Sequence, residues 1–279
     1  MNQPQTQREY WSGKVGDDWA SNAERIDAML RPVTAAALEA AALRAGERVL
    51  DIGCGAGATT LEIARRVGAA GAVVGVDLSP QLLDVARGRA REAKLHVEFV
   101  EADAGDVRFG APFDVAFSRF GVMFFETPAR AFAHIRANMK PGGRLAFACW
   151  RPLAENRWTT IPLEAIAPML KAPPPPPDPE APGPYALADA AKTERVLSDA
   201  GWRDIALSRW DGPIDPSAGG GPDSAADFLL RIGPCARAIG EQQLDAAEAR
   251  RRLIDRLTAL HAEQGLAMAA ACWLVTARA

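Results

Sequence analysis

The stretch from Val49 to Thr60, VLDIGCGAGATT, places the strongest constraint on the fold of this chain. It predicts an apolar strand that runs into a turn with glycines at positions 53, 55 and 57, followed by an amphipathic helix through about Val67. Because these glycines lack Cβ atoms, a ligand can lie against the backbone N–H groups of the turn. The unpaired N–H groups of the following helix favour a carboxylate or a phosphate at the same place. The stretch therefore predicts a strand, turn and helix that bind a ligand at the turn.

Two classes of nucleotide cofactor use such a turn. The segment GCGAGA satisfies the dinucleotide fingerprint G-x-G-x-x-G/A, in which a pyrophosphate rests on the helix N-terminus. Asp51, two positions before the first glycine, would repel a pyrophosphate but is well placed to accept hydrogen bonds from an ammonium group. S-adenosylmethionine carries an ammonium group and a carboxylate and has no phosphate. Asp51 therefore favours S-adenosylmethionine over a nicotinamide or flavin cofactor.

Two further acids follow predicted strands. Asp77 ends the apolar strand Ala72–Asp77, at the distance from the glycines where a carboxylate binds ribose hydroxyls, and Leu78 behind it would pack on the adenine. Asp103 follows the strand Leu95–Val100. Acids at 51, 77 and 103 thus recur about every 26 residues, each at the end of a strand. This regularity predicts that all three face donor groups of one ligand.

The string VLDIGCGAG closely resembles the first motif of the class I S-adenosylmethionine-dependent methyltransferases. The turn KPGGRL, from Lys140 to Leu145, is similar to the corresponding turn of many members, and the resemblance covers roughly residues 45 to 150. It resembles most the broad group that includes quinone-biosynthesis C-methyltransferases and natural-product O- and N-methyltransferases. The resemblance implies an α/β, Rossmann-like, doubly wound sheet of seven strands with an antiparallel last strand. It also implies that Asp103 accepts a hydrogen bond from the adenine amino group.

The sequence and the resemblance together give a set of expected cofactor-binding residues along the predicted strand ends. They are Asp51, Gly53, Cys54, Gly55, Gly57, Thr59, Asp77, Leu78, Asp103, Ala104 and Ser118.

The flanking segments predict the remaining organisation. Residues 1–44 are N-terminal helices whose aromatic residues either clamp these helices onto the core or form a lid over the pocket. Residues 45–221 and 266–279 form the methyltransferase core, with a Pro-rich extended loop at 172–184. Residues 222–265 read as a helical insertion between the last two strands, which in similar enzymes caps the substrate.

Further elements are expected from hydrophobic periodicity and from helix start and stop signals. The predicted helices span 81–91, 128–139, 158–170, 189–200, 225–239 and 241–264, and the predicted strands span 113–118 and 145–150, a segment through Trp210, and 271–276.

Catalytic residues are harder to identify, because methyl transfer can depend largely on positioning the acceptor. His96 and His134 are expected on solvated faces, whereas His261 falls on or beside the apolar stripe of a cap helix. His261 is either a histidine satisfied in a helix interface or a general base. Arg119 either pairs with an anionic substrate group or forms a structural ion pair. The expected substrate-binding residues are Trp11, Trp19, Phe120, Met123 and Trp150; no metal ligands are expected.

Composition excludes several functional classes. With 32 basic and 35 acidic residues, the formal net charge of −3 gives no electrostatic footprint for nucleic acid. Neither a signal peptide nor an apolar run of membrane-spanning length is evident, so a cytosolic location is expected. The four cysteines are scattered, which predicts buried, reduced thiols. The oligomeric state stays open.

The sequence thus predicts a methyltransferase that moves a methyl group from S-adenosylmethionine to a small, apolar or aromatic metabolite by in-line displacement. The acceptor atom, O, N or C, is undetermined. Two alternatives stay open: an NAD-dependent oxidoreductase on a Rossmann-type fold, and a cofactor-binding protein without catalysis.

Overall fold

A seven-stranded sheet forms the centre of the protein, for which a computed structural model describes residues 6–279. The strand order is β3-β2-β1-β4-β5-β7-β6, and β7 is antiparallel to both of its neighbours. The strands are β1 (Arg48–Ile52), β2 (Ala72–Asp77), β3 (Glu98–Glu101), β4 (Phe113–Arg119), β5 (Met139–Trp150), β6 (Arg203–Ile214) and β7 (Met268–Arg278). The predicted fold class is therefore confirmed, including the antiparallel last strand.

Eleven helices are present among residues 6–279. They are α1 (Gln7–Ser12), α2 (Lys14–Ser21), α3 (Ala23–Ala40), α4 (Ala58–Val67), α5 (Pro80–Ala93), α6 (Pro128–Ala137), α7 (Arg157–Ile166), α8 (Ala190–Asp199), α9 (Gly221–Leu229), α10 (Pro234–Gln242) and α11 (Ala246–Gln264). None of these helices is both long and apolar enough to cross a membrane.

The central strands are buried on both faces, which explains their continuous apolar sequences. Val49 and Leu50 of β1 and Val115 of β4 have no exposed surface. Short turns then connect these strands to helices with ordinary start signals. At α5, for example, the Ser79 hydroxyl accepts a hydrogen bond from the Leu82 N–H, and Pro80 occupies the first turn. The apolar strands thus fix where the turns lie.

Several predicted boundaries were wrong. The predicted helix over 225–239 is two helices, because Gly233 at φ +96° interrupts it and Pro234 begins α10. The predicted helix over 158–170 ends at Ile166 and continues only as a single 3-10 turn, Ala167–Met169. The edge strand β3 begins at Glu98, three residues later than expected. All four cysteines are buried free thiols, as predicted.

The N-terminal helices are tied to the loop after β2. The Gln81 side-chain amide donates to the Ser12 carbonyl at 2.7 Å, and the Ser12 hydroxyl donates to the Leu78 carbonyl at 3.4 Å. A Cβ at Gly16 would lie 2.7 Å from the Ser79 hydroxyl oxygen, so only glycine permits this approach of α2. Helices α9, α10 and α11 lie between β6 and β7 in sequence; α10 and α11 pack against α7, and α9 packs against α11.

Candidate active site

A cleft opens at the carboxyl ends of β1, β2 and β4, where ligands bind in doubly wound sheets. Counted to its open mouth, and including the solvent space there, the cleft holds about 1280 Å³ of space not filled by protein atoms. Its wall includes Gly53, Gly55, Asp77, Leu78, Asp103 and Ala104 at one end and mostly aromatic and aliphatic side chains at the other. The cleft therefore has a polar end and an apolar end.

At only one of the three glycines of the turn would an added Cβ point into open space. A Cβ built at Gly55, where φ is +52°, meets no atom within 4 Å, and Gly55 lines the cleft. By contrast, a Cβ at Gly53 would lie 2.6 Å from Gly121 Cα, and one at Gly57 would lie 2.8 Å from Ala86 Cβ. Gly53 and Gly57 are therefore required by packing, whereas Gly55 leaves room for a ligand.

Asp77 joins the end of β2 to this turn. Its Oδ2 accepts the Gly55 N–H at 2.8 Å and its Oδ1 accepts the Ser79 N–H at 2.9 Å. Burial raises the pKa of Asp77, and the two backbone hydrogen bonds oppose that rise. Each oxygen keeps a further lone pair, and the side chain lines the cleft. The geometry is compatible with the expected contact to ribose hydroxyls.

Asp51 does not reach the cleft surface. It is completely buried, and its Oδ2 accepts hydrogen bonds from the Thr59 and Thr60 hydroxyls, both at 2.7 Å. Burial raises its pKa to about 6, against the opposing effects of the two threonine hydroxyls and of Arg119. Its Oδ1 has no hydrogen-bond partner among the described residues. Asp51 therefore lies behind the cleft wall, and the expected direct contact with a ligand ammonium has no basis in this geometry.

Three other expected cofactor contacts are structural. The Ser118 hydroxyl donates to the Ile52 carbonyl at 2.8 Å and accepts the Gly121 N–H at 3.1 Å, which joins the ends of β1 and β4. Thr59 is occupied with Asp51, and Cys54 is buried with a thiol whose pKa is raised well above its usual value, mainly by desolvation. None of the three lines the cleft.

Asp103, Ala104 and Leu78 do line the cleft. Asp103 lies at the mouth, with an exposed side chain whose Oδ1 accepts the Gly105 N–H at 2.7 Å. This turn leaves Oδ2 free to accept a hydrogen bond. Ala104 is buried beneath it.

Arg119 forms the structural ion pair that was one of its two expected roles, and its pairing with an anionic substrate group stays a prediction. Its guanidinium donates to Asp27 Oδ1 at 2.9 Å and to the Thr34 hydroxyl at 3.0 Å, and Asp27 Oδ2 also pairs with Arg89 at 2.8 Å. The side chain is 13% exposed and lines the cleft. Arg119 is thus a structural ion-pair partner that still presents a surface to a ligand.

The expected position of His261 was wrong. Its side chain is exposed in the last turn of α11, and His261 is not part of the cleft wall. The apolar stripe of α11 consists of Leu253, Leu257 and Leu260 instead. Because an exposed histidine outside the cleft cannot reach a bound substrate, the general-base hypothesis loses its structural basis.

The apolar end of the cleft, which we call the chamber, has an aromatic wall. Phe120 stacks on Trp150 with ring centroids 4.2 Å apart. Trp11 packs edge-on against Trp19 at 5.5 Å. Met123 is buried beside them. All five expected substrate-binding residues line the cleft. Phe120 adopts φ +65°, an uncommon conformation for a bulky residue.

Sequence reasoning missed much of the chamber. The unexpected wall residues include Ile26, Met29, Leu30, Phe124, Trp158, Tyr185 and Ile232. Tyr185 follows the Pro-rich loop, and the loop returns to the chamber where the Gly183 N–H donates to the Met123 carbonyl at 3.1 Å. In the sequence, Tyr185 is marked only as a lone tyrosine after the prolines. This pattern does not identify a residue of the cleft wall unless the fold is known.

Sequence comparison finds relatives of the region that carries the polar end of this cleft. A family model for a methyltransferase domain matches residues 49–143. Aklanonic acid methyltransferase DauC of Streptomyces sp. strain C5 is 38% identical over 104 residues, which are 37% of this chain and 47% of that protein. The 2-phytyl-1,4-naphtoquinone methyltransferase of Trichormus variabilis is 36% identical over 104 residues, 36% of this chain and 45% of that protein. This chain therefore matches about half the length of these curated relatives.

Solved structures share the fold over most of the chain. Phosphoethanolamine N-methyltransferase 2 of Haemonchus contortus has a TM-score of 0.57 at 18% identity, covering 93% of this chain and 57% of that one. The [4+2]-cyclase SpnF has a TM-score of 0.56 at 19% identity, covering 98% and 96%. Identities this low support the fold alone. Residues 49–143 thus match a methyltransferase domain, and the chain shares its fold with these solved structures, in agreement with the resemblance seen in the sequence.

Proposed function

We propose that this protein transfers a methyl group from S-adenosylmethionine to a small apolar or aromatic acceptor. The observation that carries the proposal is the two-ended cleft, in which Gly55, Asp77 and Asp103 form a polar end that continues into the aromatic chamber. A polar end suits a nucleoside and an apolar chamber suits a flat acceptor. The match of residues 49–143 to a methyltransferase domain supports this reading.

The residues at the polar end fit the cofactor. Asp77 would hold the ribose hydroxyls, Asp103 the adenine amino group, and Leu78 would pack on the adenine. Asp51 supplies negative charge behind the turn, which favours a nearby ammonium group over a phosphate without direct contact. Arg119 suits the carboxylate at the same end of the cofactor.

The bound cofactor supplies an electrophilic methyl group on a sulfonium. The aromatic wall excludes water and holds the acceptor in line with that group. Among the described residues of the cleft wall, the carboxylates are Asp77, Asp103 and Glu126, and histidine is absent. We therefore favour an acceptor such as a phenol or enol, which ionises without a strong protein base.

The flanking segments complete the chamber in this proposal. Trp11 and Trp19 of the N-terminal helices serve as a lid, with Trp11 edge-on against Phe124 at 5.1 Å. Ile232 and Gly233, between α9 and α10, form part of a substrate cap. The division into residues 1–44, the core, and 222–265 stays a prediction, as does the cytosolic location.

Two alternatives are separated from this proposal by one experiment. An NAD-dependent oxidoreductase is disfavoured because the buried charge of Asp51 opposes a pyrophosphate at the turn. A protein that does not transfer a methyl group is also compatible with the fold, since one structural neighbour is named as a [4+2]-cyclase.

The experiment is calorimetric titration of the purified protein with S-adenosylhomocysteine and, separately, with NAD. We expect binding of S-adenosylhomocysteine alone. Incubation with labelled S-adenosylmethionine and a panel of phenols and hydroxyquinones should then yield a labelled product. Binding of NAD alone would establish the oxidoreductase reading, and cofactor binding without any methylated product would favour the non-transferring alternative.

A further inference from the structure

Tyr185, in the chamber wall, begins a chain of hydrogen bonds with a fixed direction. Its hydroxyl lies 3.3 Å from the Thr159 Oγ1, and the Thr159 hydroxyl lies 2.7 Å from the backbone carbonyl oxygen of Asn156. A carbonyl can only accept, so Thr159 must use its single hydrogen toward Asn156. Tyr185 must then donate its own hydrogen to Thr159. The Tyr185 oxygen is left with acceptor capacity and no hydrogen to offer a ligand.

The far end of this chain is held rigidly. Asn156 is completely buried, and its side-chain amide donates to the carbonyls of Arg151 at 3.0 Å and Pro152 at 3.2 Å. Its side-chain oxygen accepts the Ala271 N–H at 3.0 Å. Both polar atoms of the Asn156 side chain are thus hydrogen-bonded to the backbone around it, and these contacts hold the residue in place. The backbone carbonyl of Asn156, which sets the direction of the hydrogen-bond chain, is therefore fixed by the fold.

The residue at the near end of the chain, Tyr185, is part of the cleft wall. Tyr185 carries the sole hydroxyl among the described residues that line the cleft. It is half-buried, and burial raises its pKa to about 12, so the phenol stays neutral at physiological pH. A neutral phenol oxygen is a weak base but an adequate hydrogen-bond acceptor. Its contribution is therefore orientation of a ligand and not removal of a proton.

We infer that the Tyr185 oxygen accepts a hydrogen bond from an O–H or N–H group of the substrate, so that the chamber selects flat aromatic molecules with a donor at this position. This inference rests on the proposed function, since it assumes that the chamber holds the methyl acceptor. The oxygen of an ether or a carbonyl at the same position has no hydrogen to donate, so its lone pairs would face those of the Tyr185 oxygen and repel them. A site built around such a directed group discriminates more sharply than an apolar wall does.

The test uses a matched pair of probes, 2-naphthol and 2-methoxynaphthalene, titrated calorimetrically into the protein with and without S-adenosylhomocysteine. The wild-type protein should prefer 2-naphthol by about fivefold, the scale of one neutral hydrogen bond. Tyr185→Phe should reduce that preference to near parity. Tyr10→Phe, at the other tyrosine, is the matched control because Tyr10 is exposed and is not part of the cleft wall.

Thr159→Val tests the direction of the chain. Without the Thr159 hydroxyl, the Tyr185 hydrogen is free to donate, so 2-methoxynaphthalene should gain several-fold in affinity. Thr159→Ser, which keeps the hydroxyl, should behave as the wild type. If Thr159→Val does not fold, the Tyr185→Phe comparison decides alone.

The outcomes separate this inference from the proposed function. An unchanged preference in Tyr185→Phe, or no binding of either probe by the wild-type protein, overturns the inference even if S-adenosylhomocysteine binds. A loss of preference in Thr159→Val without any gain for the ether overturns the assigned direction. If S-adenosylhomocysteine does not bind while the probe preferences follow expectation, the proposed function fails and the role of Tyr185 stands as ligand recognition.

Discussion

Asp77 Oδ2 lies 2.8 Å from the backbone nitrogen of Gly55, so the carboxylate at the end of β2 accepts a hydrogen bond from the turn after β1. This contact joins the two elements that a nucleoside would touch. Because the same carboxylate also accepts the Ser79 N–H, its plane is fixed before any ligand arrives. The turn and the carboxylate that we propose to bind ribose are therefore one preorganised unit.

Removing that carboxylate should weaken cofactor binding. For Asp77→Ala we expect a loss of about 1.5 to 3 kcal/mol in the binding free energy of S-adenosylhomocysteine, the scale of hydrogen bonds to a charged group. Calorimetric titration measures it. Asp106→Ala is the control, since Asp106 is exposed and pairs with Arg130 on the surface. Equal affinities of the two variants would remove Asp77 from the ribose-binding role.

A pair of glycine variants separates ligand contact from backbone strain. Gly55 and Gly46 both have positive φ, +52° and +81°, and a Cβ at either position meets no protein atom within 4 Å. Alanine at each should cost about 1 to 2 kcal/mol of stability, the cost of a left-handed conformation. Only Gly55→Ala should also weaken S-adenosylhomocysteine, by tenfold or more. Urea unfolding and calorimetry measure the two effects, and an equal loss of ligand affinity in Gly46→Ala would contradict the assignment.

The buried carboxylate of Asp51 predicts a pH dependence of stability. Its pKa is about 6 in the folded protein and about 3.9 in an unfolded chain, so the folded state binds more protons between these values. The free energy of unfolding of the ligand-free protein should therefore fall by about 2 kcal/mol from this group as the pH rises from 4 to 6.

Asp51→Asn isolates that contribution, because asparagine keeps an acceptor for the Thr59 and Thr60 hydroxyls but does not titrate. The difference in unfolding free energy between the two proteins, measured with urea, should shift in favour of the variant as the pH rises through this window. A difference that is flat with pH would show that Asp51 has an ordinary pKa. The variant should also bind S-adenosylhomocysteine more weakly, since the negative charge behind the turn is gone.

The left-handed backbone of Phe120 predicts an unusual order of stabilities. Both Phe120→Ala and Phe120→Gly lose the stacking on Trp150, but only alanine pays for φ +65°. After the greater backbone entropy of glycine is subtracted, Phe120→Gly should be the more stable variant by about 0.5 to 1 kcal/mol. At Phe124, within the single 3-10 turn Val122–Phe124, alanine should be the better residue. Thermal or urea unfolding of the four variants tests this reversal.

The sequence was sufficient for the sheet and for one end of the cleft. Apolar strands followed by Gly55, Asp77 and Asp103 identify the polar end, because parallel strands place their carboxyl ends at one edge. The accessibility of Asp51 could not be read from spacing, since it depends on where the Thr59 and Thr60 hydroxyls turn. An acidic residue at the end of a strand can face the cleft or lie behind it, and the spacing of the sequence does not distinguish the two cases.

The chamber was less predictable because its walls come from distant segments. The direction of the hydrogen-bond chain from Tyr185 depends on Thr159 and Asn156, which approach it only through tertiary packing. The misplacement of His261 has a simpler cause. His261 follows Leu257 by four residues and Ile254 by seven, which places it near the apolar stripe of α11. The stripe ends at Leu260, however, as the helix reaches its final turn.

Trp11, Trp158, Tyr185 and Ile232 enter the chamber from four separate segments, all outside residues 49–143. This part of the chamber wall is thus built by segments that are separate in sequence from the strand ends that carry Gly55 and Asp77. Substitutions in these four segments therefore offer a route to re-engineering which molecule is recognised without rebuilding the sheet.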